Sequence, residues 1–539
     1  MKYEIGKIDF LKLGHHGIKG SNTADYLNVL SPEYAVISNE IGNPYYLNVH
    51  YLEEKEVNYL YTIQDEYEIC AIIYNDEVAL GFGTPGIKKV KNDIFYIPEN
   101  KIHSNYLKNK IKIKYDYIEK SVNNWEELKS TIEQFKYNEG IYIQDNFYII
   151  EGLIITLNSE NNNNVYNANS SILVDNFKNI KIVTNQNEII IKRDETLIEL
   201  PLFQIEKGLL SLGEENMKGR IIIDGNKENV VSTSQLIKIN NGELSIYDNI
   251  ILCNNLFRIS YLPTPNLDFG STIYAKNYSK INMYGGEISN NIQEMVINKN
   301  MSSGILPEEM TKNLTYDVKG GIFLENSTFN MFGGKICNNQ LINNSDIYSN
   351  ENSTNNGNTA YSVSQRSIGA AIYADYISKV YLYRGEISNN TAENNAKINL
   401  ITPKGEKKTK LSSISQSIYG SAIYGYYCFF EIFNDFLIQN NSSKINSTIN
   451  IKDNCSVSGS INNLIEGGQV NMNLSKIKIN GGIIQNSNNI FNVISNISPD
   501  ENGNIKTVSN YTYGGAIYLA NTKNFEINNL KILNVTQIF

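Results

Sequence analysis

Ser279-Lys-Ile-Asn-Met-Tyr-Gly-Gly-Glu-Ile-Ser-Asn-Asn291 returns as Ser327-Thr-Phe-Asn-Met-Phe-Gly-Gly-Lys-Ile-Cys-Asn-Asn339 and again as Ser378-Lys-Val-Tyr-Leu-Tyr-Arg-Gly-Glu-Ile-Ser-Asn-Asn390. Weaker copies hold Phe430, Ile432 and Leu437, then Ile477, Ile479 and Ile484, then Phe525, Ile527 and Ile532. Counted from the first apolar position, the steps are 48, 51, 50, 47 and 48 residues, a period of about 50. A second element keeps the same beat: Gly270-Ser-Thr-Ile-Tyr-Ala275, Gly320-Gly-Ile-Phe-Leu324, Gly369-Ala-Ala-Ile-Tyr-Ala374, Gly420-Ser-Ala-Ile-Tyr424 and Gly514-Gly-Ala-Ile-Tyr-Leu519. Only the fifth unit lacks a clean version. A base-composition bias can inflate Asn, Ile and Lys, but it cannot produce a period.

Apolar alternations of four to six residues punctuated by Gly or Asn pairs read as strands and tight turns. Stacked in register, Ile281, Met283 and Ile288 lie beneath Phe329, Met331 and Ile336, then beneath Val380, Leu382 and Ile387, and that column is the core of a parallel β-helix. Glycine supplies positive φ at the corners, and paired asparagines tolerate left-handed backbone and ladder with the coil above. A unit of about 50 residues is long for one coil and comfortable for two. The expectation over 138–539 is therefore a solenoid of double-coil repeats, with Asn-rich loops such as Asn343 to Asn358 spliced in. Ahead of it, over 123–137, Asn124 stands where an N-cap would, with Glu127 three residues on and Trp125, Leu128, Ile132 and Phe135 on one helical face. This reads as a capping helix over the first coil; a partner-binding helix is the rival.

The chain has 539 residues, 41% of them hydrophobic and 19% charged, which argues for folded structure. Its 47 basic and 56 acidic residues give a net charge of −9, without the basic footprint that bulk nucleic-acid binding needs. Five widely spaced cysteines, Cys70, Cys253, Cys337, Cys428 and Cys455, read as buried thiols rather than a disulfide framework or zinc knuckle. No apolar run approaches the roughly 20 residues that span a bilayer. Met1 to Phe10 lacks the apolar core of a signal peptide, so the compartment stays open: extracellular or cell surface with an export signal further upstream, cytoplasmic otherwise.

Composition shifts near residues 90 and 123, leaving a small unit over 1–90 and a linker of short strands over 91–122. The four histidines, His15, His16, His50 and His103, all precede the repeats. Asp9-Phe-Leu-Lys-Leu-Gly-His-His-Gly-Ile-Lys-Gly-Ser21 reads as a strand over about Ile8 to Leu13 followed by a His-bearing loop. Tyr26-Leu-Asn-Val-Leu-Ser-Pro-Glu-Tyr-Ala-Val-Ile-Ser38 adds a short helix and a neighbouring strand from Ala35 to Ser38. In the repeats, Asp224-Gly-Asn226 is the only suggestive acidic spot, and the plain alternative is that Asp224 opens a turn. Tyr274, Tyr284, Tyr373, Tyr383, Tyr424 and Tyr518 recur at equivalent positions and can form stacked ladders, platforms for sugars where exposed and packing where buried.

The repeats over about 140–539 resemble the right-handed parallel β-helix proteins of the pectin-lyase-like superfamily. The Gly-Gly-Ala-Ile and Ile-Ser-Asn-Asn-Thr-Ala elements look like the repeat of polymorphic outer-membrane adhesins. The resemblance implies a glycan or protein ligand on the solenoid face. Residues 1–85 resemble the late part of the metallo-β-lactamase fold in competence-type (ComEC/Rec2-like) hydrolases, on Gly-His-His-Gly, its following strand and a closing hairpin at Tyr61 to Tyr74. That implies His15 or His16 as a metal ligand, with zinc where the full fold is present. The family's His-x-His-x-Asp-His signature is missing, and its Asn-x-Tyr-x-His-Pro element is altered to Gly42-Asn-Pro-Tyr-Tyr-Leu-Asn-Val-His50. Any metal held by His15 and His16 alone would be weak, and the plain alternative is a residual loop without metal.

The resulting expectation is a β-helix binding protein fused to an incomplete, inactive metallo-β-lactamase-like module, with no catalytic residue assigned and no cofactor in the chain as written. The rivals are a fragment of a zinc-dependent hydrolase of phosphodiester or related bonds, with its other ligands upstream or in another chain, and a structural spacer. Exposed strand edges at the last coil, ending at Phe539, add end-to-end self-association as an expectation.

Overall fold

The computed structural model describes residues 10–12, 34–37, 58–61, 68–74, 77–83, 112–135, 143–144, 147–159, 164–176, 178–260, 272–300, 314–348, 361–401, 410–452, 456–457, 460–497, 508–522 and 525–538. The chain divides into two compact units, 1–118 with 137–152, and 119–136 with 153–539. The second unit includes the helix Trp125–Gln134 and resumes at Leu153.

In the first unit, Phe10–Lys12, Tyr34–Ile37 and Asn58–Tyr61 form a parallel three-stranded sheet in that order. The strands expected on either side of the histidine loop are those at Phe10–Lys12 and Tyr34–Ile37, and they are direct neighbours. The hairpin pairs Glu68–Tyr74 with Glu77–Gly83, further along the chain than Tyr61 to Tyr74. His15, His16, His50 and His103 lie outside the described residues. Lys112–Val122 is one strand of eleven residues where short strands were expected.

The second unit is mainly β, built on a nine-stranded parallel sheet and on the long parallel ladders that make up most of a 25-stranded one. Register defines its layers. Leu153, Ile180, Leu210, Leu244, Ile281, Phe329, Val380, Phe430, Ile477 and Phe525 are successive partners along one column. Two residues on, Ile155 to Ile527 form a second column through Ile182, Leu212, Ile246, Met283, Met331, Leu382, Ile432 and Ile479. All of these up to Ile479 are at most 2% exposed, so alternation delivers one side chain in two to a shared apolar core. The stacking of Ile281, Phe329 and Val380 is as the repeat predicts.

The double coil is not. Residues 48 to 51 apart are immediate ladder neighbours, so each repeat of about 50 residues adds one layer. The additional length lies in wide layers, where strands such as Gln340–Tyr348, Thr391–Ile401 and Ser442–Lys452 extend beyond the shared core. A further parallel sheet, Leu314–Lys319 to Val508–Tyr513, returns the chain. Asn343 to Tyr348, expected as an inserted loop, belongs to the strand Gln340–Tyr348. Its asparagines are tolerated there because Asn343 accepts from Gln365 and Asn344 donates to Glu294.

The Gly-x-Ala-Ile element starts the nine-stranded sheet, whose column runs Ile172, Phe203, Ile237, Ile273, Ile322, Ile372, Ile423, Val470 and Ile517. Val470, after Gly467-Gly468-Gln469, fills the unit that lacked a clean copy. Gly369 holds φ +61 at the entry turn, where a Cβ would stand 2.3 Å from the Ile372 carbonyl oxygen, so no other residue fits.

The asparagine pair of the motif divides its labour. Asn290, Asn338, Asn389 and Asn440 take left-handed backbone with φ between 56° and 58°. Their successors Asn291, Asn339, Asn390 and Asn441 are buried, each Nδ2 donating to the next layer's side-chain oxygen at 2.7–3.0 Å, ending on Gln469. Each also donates to a main-chain carbonyl, at Leu252, Ile288, Ile336 and Ile387. A buried polar column is thus bonded at every rung, which keeps its desolvation cost low.

The helix Trp125–Gln134 closes the first layers. Asn124 accepts from the Glu127 amide at 2.9 Å, which satisfies a free helix-end donor, and Glu127 accepts from the amide of Asn123, just ahead of the cap, at 2.8 Å. Trp125, Leu128 and Ile132 are buried in the same core as the columns, and the Trp125 ring meets Phe203 edge-on at 5.6 Å. At the other end, Phe525–Asn528 and Lys531–Ile538 are exposed along their whole length.

Candidate functional site

The outer face of the wide layers holds a groove of about 820 Å³. Register builds it: Val296, Asn344, Asn395, Asn446 and Asn492 are successive partners pointing outward on five adjacent strands, and Asn298, Asp346, Lys397, Thr448 and Ile494 form the parallel row two residues on. At 4.7–4.9 Å per strand the groove runs about 19 Å along the stacking direction.

The four asparagines are chained. Asn344 donates to Glu294 at 2.7 Å, and Asn395, Asn446 and Asn492 each donate to the preceding amide oxygen at 2.8 Å. An amide carries two N–H donors and two acceptor lone pairs. Asn395 spends one N–H on Asn344 and one lone pair on Asn446, which leaves one of each. Asn446 uses its second N–H on Glu393 and keeps a lone pair. The groove floor therefore repeats free hydrogen-bonding capacity at the layer spacing. Its charges are compensated: Asp346 lies 4.0 Å from Lys397, and Glu294 pairs with Arg258 at 2.7 Å. The chemistry suits an extended, neutral, hydroxyl-rich ligand.

The recurrent tyrosines split into two ladders. Tyr274 stacks on Phe323 at 4.9 Å, Phe323 meets Tyr373 edge-on at 4.9 Å, and Tyr373 stacks on Tyr424 at 5.5 Å, between the nine-stranded sheet and the returning sheet. Tyr274, Phe323 and Tyr373 are at most 6% exposed, Lys319 lies 4.7 Å from the Tyr373 ring centre, and Tyr373 donates to Asp375 at 2.7 Å. Burial pushes the Asp375 carboxyl above its ordinary value, against the opposing pull of Tyr373, Lys319 and the Tyr376 amide. This ladder is packing. Tyr247, Tyr284, Phe332, Tyr383 and Phe433 form the other, at 4.5–5.2 Å with interplanar angles of 7–23°. Tyr284 and Phe332 are exposed, yet their faces are covered by each other and only ring edges meet solvent. A sugar has no face to stack on within that file, so exposure does not make this ladder a platform. Tyr518 is half-buried and touches Tyr513.

Asp224 accepts from the Asn226 amide at 2.7 Å and opens a turn, the plain alternative. Cys253, Cys337 and Cys428 are buried free thiols pushed up to about 12 by burial. Among the described residues, no three His, Cys, Asp or Glu side chains are placed to hold a metal, and no helix is long and apolar enough to cross a membrane. The groove itself escapes motif reading, although Asn344, Asn395 and Asn446 recur at steps of 51, a signal as regular as the apolar one. No protein family, curated protein or solved structure matches the chain.

Proposed function

We propose that the unit of stacked layers is a right-handed parallel β-helix of the pectin-lyase-like, adhesin-like kind, working as a binding protein whose groove seats an extended neutral glycan. The asparagine row carries this reading. Vicinal hydroxyls are at once donors and acceptors, and the row offers both at an interval comparable to the advance of an extended glycan per sugar unit. A protein ligand would call for an apolar, aromatic centre to the site, and the centre here is amide. The 1–90 unit is proposed as an incomplete metallo-β-lactamase-like module, inactive in this chain, with zinc held no more tightly by His15 and His16 than by a surface histidine pair. Submicromolar zinc affinity by titration calorimetry would instead favour the hydrolase reading.

A glycan array probed with the full chain tests the function, alongside Asn395→Ala and Asn446→Ala. Each lost hydrogen bond is worth about 1 kcal/mol, or roughly fivefold in Kd. Neutral oligosaccharide binding that falls by this amount with an unchanged melting curve supports the groove. No neutral glycan bound, or binding indifferent to both substitutions, overturns it.

A further inference from the structure

The turn leading from the nine-stranded sheet into the motif strands needs left-handed backbone in every layer. Five layers meet that need with asparagine, at Asn176, Asn241, Asn277, Asn326 and Asn521, with φ between 48° and 54°. One layer uses Lys207 (φ 59), and Tyr278 (φ 64) follows Asn277 in the same conformation, but only three adjacent layers put a large apolar or aromatic residue first in the turn: Tyr376 (φ 47) with Ile377 (φ 61), then Tyr427 (φ 55), then Leu474 (φ 52). A bulky or β-branched residue in this region is strained, and strain of this kind concentrates at functional sites. These side chains also bury little to offset it. Tyr376 is 60% exposed, Tyr427 53%, Ile377 43% and Leu474 42%, with Tyr426 beside them at 36%. Main-chain bonds tie the turns together, the Ile377 amide donating to the Tyr427 carbonyl and the Leu474 amide to Ala520, so the side chains stand in file along one outer corner.

The adjoining outward column is Lys379, Phe429 and Lys476. Lys476 lies 5.8 Å over the Phe429 ring, and among the described residues neither lysine has an acidic partner, whereas Lys280, Lys335 and Lys478 nearby pair with Glu243, Glu386 and Glu431. In a chain of net charge −9, two unpaired lysines beside five exposed apolar or aromatic side chains form a local exception.

We propose that this ridge is a contact site for an anionic lipid surface. A protruding corner one residue wide provides no walls for a small ligand, and a flat surface needs none. Tyrosine rings settle at the boundary between headgroups and acyl chains, Ile377 and Leu474 supply the apolar insertion, and lysines with long apolar stems keep their ammonium groups at the phosphates. Three layers give weak, reversible attachment, which strengthens with anionic lipid content and weakens with salt.

Co-sedimentation of the full chain with vesicles of phosphatidylcholine containing phosphatidylglycerol, against phosphatidylcholine alone, tests the proposal. The chain is expected to sediment with the anionic vesicles only, and to be released as salt is raised. The triple variant Tyr376→Asn, Tyr427→Asn, Leu474→Asn is expected to lose sedimentation while melting at the same temperature or higher, because asparagine suits the backbone these positions adopt. Lys379→Gln with Lys476→Gln removes the salt dependence. Neutral-glycan binding stays unchanged in all of them. Absence of sedimentation with anionic vesicles, as a ridge made for a protein partner would give, overturns the proposal. So does a triple variant that sediments like the parent, or one that melts lower, since the side chains would then be structural.

Discussion

The slim layers and the wide layers are two ways of using one core. From Leu153 to Ile281 the steps along the main column are 27, 30, 34 and 37 residues; from Ile281 to Phe525 they are 47 to 51. Both kinds deliver the same inward residues to the same columns. The surplus in the wide layers builds a second lobe with two apolar clusters, one around Leu341, Ile418 and Ile445 and one around Ile347, Ile398 and Ile449. Between these lie buried polar residues: Asn394 donates to the Ser417 carbonyl and Ser367 donates to Asn394, while the Oε1 atoms of Gln365 and Gln416 have no partner among the described residues. The shared core is continuous and apolar, and the lobe is divided and partly polar. The groove lies on the outer face of the lobe, whereas the lysine-flanked ridge lies on the shared-core part of the same wide layers, at the corner between the nine-stranded sheet and the motif strands.

The largest expected effect separates the two. Ile281→Asp places an unpaired charge at a fully buried position of the shared column, at a cost of several kcal/mol, and should abolish cooperative melting. Ile449→Asp does the same chemistry at an equally buried position of the lobe and should open the lobe while slim-layer amides stay protected in hydrogen exchange. Equal loss of protection everywhere in both variants would dissolve the distinction between core and lobe.

Next comes a device peculiar to the slim layers. Arg193 is fully buried and, among the described residues, makes no ion pair; its guanidinium donates to the carbonyls of Leu197, Leu200 and Gln235, and burial pushes its pKa down to about 10. Arg193→Met fills the volume but leaves three carbonyls bare, about 3 kcal/mol in urea melts. No measurable loss would mean that water reaches those carbonyls.

The two asparagine files sharpen the comparison inside one wide layer. Asn390 is 0% exposed and bonds to Asn441 and to the Ile336 and Ser388 carbonyls, while Asn395 sits half-buried on the groove floor. Asn390→Leu should cost about 2 kcal/mol and Asn395→Leu less than about 1. Equal costs would mean that the groove file is structural rather than free for a ligand.

What was legible follows from this division. Apolar columns repeat in sequence because every layer needs the same inward residues, so Ile281, Phe329 and Val380 announce their stacking. The capping helix is legible because Asn124 and Glu127 act locally. The number of layers per repeat is not, because a 50-residue unit folds equally well as two slim turns or one wide one, and only the pairing of Gln340–Tyr348 with Thr391–Ile401 decides. The groove hides because outward asparagines look like loop composition, and the ridge because Tyr376, Ile377 and Leu474 replace the residue that the turn prefers.

The smallest expected effect is electrostatic and tests whether the junction between core and lobe is as dry as its aromatic ladder implies. Burial raises the Asp375 carboxyl above its ordinary 3.8, so the folded state holds that proton more tightly than the unfolded chain. The contribution is fully present below the unfolded value and is lost as pH rises through the folded one, so stability falls over the first pH units above about 4. Asp375→Asn keeps a side chain of the same shape and removes the titration. Its urea-melt stability plotted between about pH 4 and about pH 7 should therefore decline less than the parent's. Some slope remains, because burial raises Glu466 in the same direction. Parallel curves for parent and variant would show that water reaches Asp375, and that the ladder of Tyr274, Phe323, Tyr373 and Tyr424 does not seal the junction.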